Sequence, residues 1–204
     1  MSASVDGTVL IVCAANVCRS PFAAFLLGRE LPGLLVESAG VAARAGDALC
    51  RFTRQRITAL PDGSRFVQQH VVRRLDTDLI GRADLILTAS PSERSAVAVR
   101  SPEARTRTFT LVEAAHSAKA LSETERPSTL AGLAEMMNAR RGRVTLPPVH
   151  RGRWTTRSAR FGIAIPDAHI GETQRHSVVY RSIEDAVGMF ARAFTASASG
   201  GGLR

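Results

Sequence analysis

Apolar positions along the chain alternate between short unbroken runs and spaced repeats, the pattern of strands alternating with helices. The run Thr8 to Cys13 reads as a buried strand. Pro21 to Leu31 reads as a helix with Ser20 at its N-cap, Pro21 at its first position and Pro32-Gly33 as its stop. "LLVESAG" (34–40) is a second short strand, and "ALCRFTRQRITAL" (48–60) is helix-like up to a Pro-Asp-Gly break. "DTDLIGRADLILTAS" (76–90) predicts a short helix feeding a buried strand, followed by a helix from Ser90 to Arg100 and a strand at 107–111. Leu130 to Met137 is weakly helical. Val179, Ile183, Val187 and Phe190 mark one face of a long C-terminal helix. Strands spaced by helices imply a mostly parallel sheet covered on both faces, with ligands beyond the C-terminal ends of the strands. We expect one domain over 1–196 and a flexible tail over 197–204.

A length of 204 residues with 45% hydrophobic content supports one sizeable core. The apolar run to Ala15 is too short to span a bilayer and follows Asp6 rather than a basic flank, so a cytoplasmic protein without membrane insertion is expected. Three cysteines make no disulfide framework, and their linear spacing from histidine matches no zinc motif. The net charge of +9 is almost wholly arginine, Lys119 being the single lysine, and it favours anionic partners. Arg140, Arg141, Arg143, Arg151, Arg153, Arg157 and Arg160 fall in an aperiodic stretch that reads as a solvated loop. With Trp154 its one aromatic before Phe161 and no recognition-helix pattern, it gives no sign of specific nucleic-acid binding.

The first strand and helix are joined by Cys13, Ala14, Ala15, Asn16, Val17, Cys18, Arg19 and Ser20. Such a loop offers backbone N–H groups that no helical carbonyl accepts, reinforced by the helix dipole, and so suits an anion. A cysteine at its base, Cys13, has its thiolate favoured there, as a nucleophile requires. Arg19, six residues on, can turn a planar fork onto two oxygens of a phosphoryl group. Ser20 can donate to the Cys13 sulfur, and Asn16 tolerates a left-handed backbone. Cys18 is either a partner for Cys13 in a reversible disulfide or a buried filler, and Cys50, on a helix, reads as inert.

"VCAANVCRSP" resembles the signature V-C-x-G-N-x-C-R-S-P of the low-molecular-weight protein tyrosine phosphatases. The likeness continues through "VESAG" (36–40), "HVVRRL" (70–75), "ADLILTAS" (83–90) and "IPDAHIGETQRHSVVYRSIEDAV" (165–187). It implies that family's α/β fold, a four-stranded parallel sheet flanked by helices on both faces, here with an Arg-rich insertion. It makes Cys13 the nucleophile, Arg19 the phosphate clamp and Asp167 the general acid, with phosphate bound by residues 14–20 and Ser38 and His70 supporting the loop. It implies no cofactor and no metal, and as substrate a phosphorylated protein, one option being a protein phosphorylated by a tyrosine kinase, or a small phosphomonoester. The oligomeric state has no signature in the sequence. Two departures stand out: Ala15 replaces the family glycine, and Ala168, followed by His169, replaces the proline after the acid. The alternatives are an arsenate reductase of the same fold, disfavoured because no cysteine follows Cys50, and a non-catalytic phosphate or phosphopeptide binder.

Overall fold

The structure is a computed structural model and describes residues 7–122, 127, 129–148, 162–169 and 175–195. β1 (Thr8–Cys13), β2 (Leu35–Gly40), β3 (Leu85–Thr88) and β4 (Thr108–Thr110) form a four-stranded, all-parallel sheet in the order β2-β1-β3-β4. β1 is central, and its side chains alternate between two cores. Val9 and Ile11 join Leu85, Leu87 and Phe109 on one face. Leu10 and Val12 join Ile86, Leu79, Ile80 and Val97 on the other.

The first face is covered by α1 (Arg19–Glu30), α6 (Leu111–Lys119), α7 (Leu130–Ala139) and α8 (His176–Thr195), through Phe22, Leu27, Leu111, Met137, Ile183 and Phe190. The opposite face carries α4 (Thr77–Arg82), α5 (Pro91–Arg100) and a 3-10 helix, Pro102–Arg107. α2 (Arg51–Thr58) and α3 (Gly63–Gln69) follow β2 in the chain and pack on the first face through Ile57, Phe66 and Val67, and Cys50 N, just before α2, donates to Val17 O in the loop after β1.

Several expectations need correction. α1 starts at Arg19 with Cys18 as its N-cap and no side-chain cap, so Ser20 is inside the helix and points elsewhere. The helix expected over 48–60 is confined to Arg51–Thr58, and the strand expected over 107–111 is only Thr108–Thr110, because Leu111 already begins α6. α6 starts with a capping box between Thr110 and Glu113. Arg141 is no solvated loop cation. It donates to the carbonyls of Arg105 (3.0 Å) and Thr108 (2.7 Å), lies 4.3 Å over the Phe109 ring and pairs with Glu113. Arg151, Arg153, Trp154, Arg157, Arg160 and the tail at 197–204 lie outside the described residues. No helix among the described residues is long and apolar enough to cross a membrane.

Candidate active site

The loop from Ala14 to Cys18 leaves the C-terminal end of the central strand, and the scaffold holds it by its carbonyls. Val41 N donates to Cys13 O (3.0 Å), Ala42 N to Ala14 O (2.8 Å), His70 Nε2 to Asn16 O (3.2 Å) and Cys50 N to Val17 O (2.9 Å). In a trans peptide the N–H points opposite to the C=O. The N–H groups of Ala14, Ala15, Val17 and Cys18 therefore point away from the scaffold, into the concavity of the loop, which is the arrangement of an anion nest. The uncapped N-terminus of α1 adjoins it.

Cys13 lies at the base, 2% exposed. Its Sγ accepts from Asn16 N at 3.3 Å and sits 3.1 Å from Ser20 Oγ. Asn16 carries the loop's left-handed turn, with φ +57°. Ala15 has no positive φ, so the methyl group that replaces the family glycine costs no backbone strain. The buried Asn16 amide ties four segments together: Nδ2 donates to Ser20 Oγ (3.0 Å) and Ser38 Oγ (2.9 Å), and Oδ1 accepts from Arg73 N (2.9 Å). Ser38 and His70 thus meet the loop, both through Asn16. His70 stacks on Phe66, and burial followed by the nearby Arg73 charge pushes its pKa below the usual value, the Asn16 carbonyl opposing that only in part.

Arg19 is 6% exposed and is compensated on all sides, as a buried guanidinium must be. Nη2 pairs with Glu93 Oε1 at 3.2 Å and donates to Asp167 Oδ2, while Nη1 donates to Ile165 O at 3.3 Å. The Asp167 carboxylate also accepts from His169 N at 2.9 Å, an Asx turn that does the work of the missing proline. Cys13, Arg19 and Asp167, the third from a segment 148 residues beyond the second, thus converge at one strand end.

Two participants were not anticipated. Glu93 reads in sequence as the N3 partner of a capping box with Ser90, yet it is buried and turned to Arg19 while Ser90 bonds to its Oε2. A Cβ at Gly40 would lie 2.7 Å from Ala14 O, Ala15 C and Asn16 N, so the loop rests against the bare backbone of β2. Gly40 closes the "VESAG" stretch, which was a signal for it.

Cys50 is not inert. It is the N-cap of α2, facing Cys18, and all three cysteines are free thiols. The Cys18 thiol donates to Cys50 and, with the α2 amides and Thr53, holds the Cys50 thiol well below its usual pKa. The same bond, and burial, push Cys18 up. His169 and His176 complete this group: the ligand atoms of Cys18, Cys50, His169 and His176 all lie within 4.8 Å of one another. Linear spacing held no trace of it.

The sequence profile of the low molecular weight phosphotyrosine protein phosphatases matches residues 8–132. The chain is 32% identical over 106 residues to the low molecular weight protein-tyrosine-phosphatase Ptp of Acinetobacter johnsonii, spanning 50% of this chain and 70% of that protein. It is 35% identical over 109 residues to a protein-arginine-phosphatase of Geobacillus stearothermophilus, spanning 50% and 68%. Among solved structures, the tyrosine phosphatase Wzb from Escherichia coli K30 in complex with phosphate superposes with a TM-score of 0.58 at 22% identity, over 91% of this chain and 96% of that one, a likeness of fold.

Proposed function

The chain belongs to the low molecular weight phosphotyrosine protein phosphatase family, and from that premise we propose that it hydrolyses phosphotyrosine in proteins through a cysteinyl-phosphate intermediate. The observation that carries this reading is the set of loop amides turned inward around Cys13 with Arg19 beside Asp167.

In the proposed first step the Cys13 sulfur attacks phosphorus in line, and Asp167 protonates the departing oxygen. The amides of residues 14–19 and Arg19 hold the equatorial oxygens as charge redistributes. The two hydrogen bonds of Arg19 use one Nη2 and one Nη1 hydrogen while Glu93 pairs with Nη2 by charge, so Nε–H and the second Nη1–H remain for phosphoryl oxygens. Glu93 and Asp167 orient that fork. Ser20 has one hydroxyl proton and two acceptors in reach, Ala39 O at 3.2 Å and Cys13 Sγ at 3.1 Å. It can accept from the Cys13 thiol and donate to the thiolate, easing the departure of sulfur when water, activated by Asp167 as base, breaks the intermediate. The loop amides and Arg19 supply the positive charge in this scheme, so no step calls on a metal.

Val17, apolar and only partly buried, adds no polar group to the loop that would pair with the guanidinium of phosphoarginine, in keeping with an aromatic phosphate ester. The test is hydrolysis of p-nitrophenyl phosphate in EDTA across pH 5 to 8, followed by phosphotyrosyl and phosphoarginyl peptides in competition. We expect a bell-shaped profile with its optimum below neutrality, because thiolate and protonated acid are needed together, and preference for the tyrosine ester. A rate that climbs steadily into alkaline pH overturns Asp167 as acid; preference for phosphoarginine overturns the substrate assignment.

A further inference from the structure

The Cys18, Cys50, His169 and His176 cluster takes no part in the chemistry above. We propose that these four side chains form a Zn2+ site that ties the phosphate loop, the start of α2, the Asp167 turn and the start of α8 to one ion.

The donor set is two thiols and two imidazoles, the soft and borderline ligands that select Zn2+ in a tetrahedral site. Zn–S bonds of about 2.3 Å and Zn–N bonds of about 2.0 Å place tetrahedral ligand atoms roughly 3.3–3.8 Å apart. Here the four atoms are within 4.8 Å of one another, and Cys50 Sγ is already 3.4 Å from His176 Nε2. Side-chain rotation of about 1 Å closes the tetrahedron. The surroundings are built rather than incidental. Thr53 donates to Cys50 Sγ at 3.7 Å and is itself fixed by Tyr180 at 3.0 Å, while His176 is packed between Phe52 and Tyr180 with His169 edge-on at 5.1 Å. Such outer contacts hold ligands in place. Cys18 is buried, Cys50 and His176 are half-buried and His169 is exposed, which gives the ion an entry path.

The charges balance. Zn2+ displaces one proton from each thiol to solvent, the two imidazoles bind neutral, and the site is left uncharged with no change of oxidation state. His169 follows Asp167 by two residues and donates its backbone N–H to that carboxylate. The ion would therefore fix the Asp167 turn against the phosphate loop. That consequence rests on the phosphatase reading; metal binding does not.

The test uses full-length Cys13→Ser protein, reduced and stripped by chelator, so that the loop-base thiol is removed and no turnover is read. Anaerobic Co2+ titration should give one equivalent with tetrahedral d–d bands and thiolate charge transfer, displaced by Zn2+ with a Kd below about 1 µM in chelator competition. Cys50→Ser and His176→Gln should each weaken Zn2+ binding at least about 100-fold. His169→Gln, at an exposed position that cannot disturb folding, should weaken it at least about 10-fold and raise the remaining Co2+ coordination number. Octahedral Co2+ spectra, affinity unchanged in His169→Gln and His176→Gln, or a complex that forms in the wild type but not in Cys13→Ser would each overturn the site. Failure of the phosphatase assay alone leaves these spectra unchanged, so the two readings fail separately.

Discussion

Two halves of the candidate site are built by opposite strategies. The phosphate loop is a continuous run of sequence, Cys13 to Ser20, and hydrogen bonds from Val41 and Ala42 just after β2, Cys50 just before α2 and His70 just after α3 hold the carbonyls of Cys13, Ala14, Asn16 and Val17. The acid side is assembled from afar: Asp167, His169 and His176 come from segments about 150 residues along the chain and reach the loop through side chains, chiefly Arg19 and the cysteine cluster. The family profile ends at residue 132, so it covers the first half and none of the second. In the proposed scheme, then, binding and nucleophilic attack belong to a part of the fold held by many backbone bonds, whereas proton delivery depends on contacts that few local constraints maintain.

The sharpest test of the contrast is to remove one group from each half. Cys13→Ser should lower kcat by at least about 10⁴-fold while phosphate or vanadate still binds, since the amide nest is untouched. Loss of both together would mean that the loop depends on the sulfur for its shape. Asp167→Asn should lower kcat about 10²- to 10⁴-fold and flatten the alkaline side of the profile, with KM for p-nitrophenyl phosphate little changed. A large rise in KM instead would show that Asp167 serves mainly to orient Arg19, which would blur the division between the halves.

Legibility in the sequence follows the same line. The strand, loop and helix at 8–30 could be read because the anion site is made by backbone geometry, and Cys13, Asn16, Arg19 and Ser20 sit at spacings that geometry dictates. The succession of strands along the chain and the C-terminal helix were likewise visible in the periodicity. α3 was hidden behind its Pro-Asp-Gly break, and α6 behind the apolar end of β4, where Leu111 reads as the last strand residue but begins the helix. Asp167, Ser38 and His70 emerged only through resemblance, because nothing local distinguishes a turn aspartate from an acid. Glu93 was masked by a spacing from Ser90 that also suits a helix cap, and the Cys/His group by separations along the chain that only tertiary packing closes.

A smaller effect probes the rigid half without removing any group that meets phosphate. Gly40→Ala places a methyl carbon 2.7 Å from three backbone atoms of the loop, so the loop must shift. A displacement of this order in a positioned nucleophile is expected to cost about 10²-fold in kcat/KM, with the helical signal unchanged. Unchanged kcat/KM in a folded Gly40→Ala protein would show the loop to be pliant and remove the basis for calling that half rigid.

The smallest expected effect concerns His70, which joins the rigid half through a hydrogen bond to Asn16 O. A carbonyl can only accept, so Nε2 carries the proton and the neutral ring already serves the loop. Burial and Arg73 lower the His70 pKa in the folded state below the value of about 6.5 expected in the unfolded chain. Above that unfolded value both states are neutral and stability is at its full level. As the pH falls through it, the unfolded chain takes up a proton that the folded protein refuses, so stability declines until the lowered folded value is passed, where the loss is complete. His70→Gln keeps an N–H donor for Asn16 O and removes the titration. Urea unfolding at steps from pH 7.5 to 5 should give wild-type and His70→Gln stabilities whose difference changes below about pH 6.5, the wild type falling more steeply. Burial of His116 adds a slope of the same sign, but it is common to both proteins and cancels in the difference. Parallel curves would place His70 in contact with solvent, and the scaffold bond to Asn16 would then be a surface contact rather than part of what keeps the loop amides turned inward.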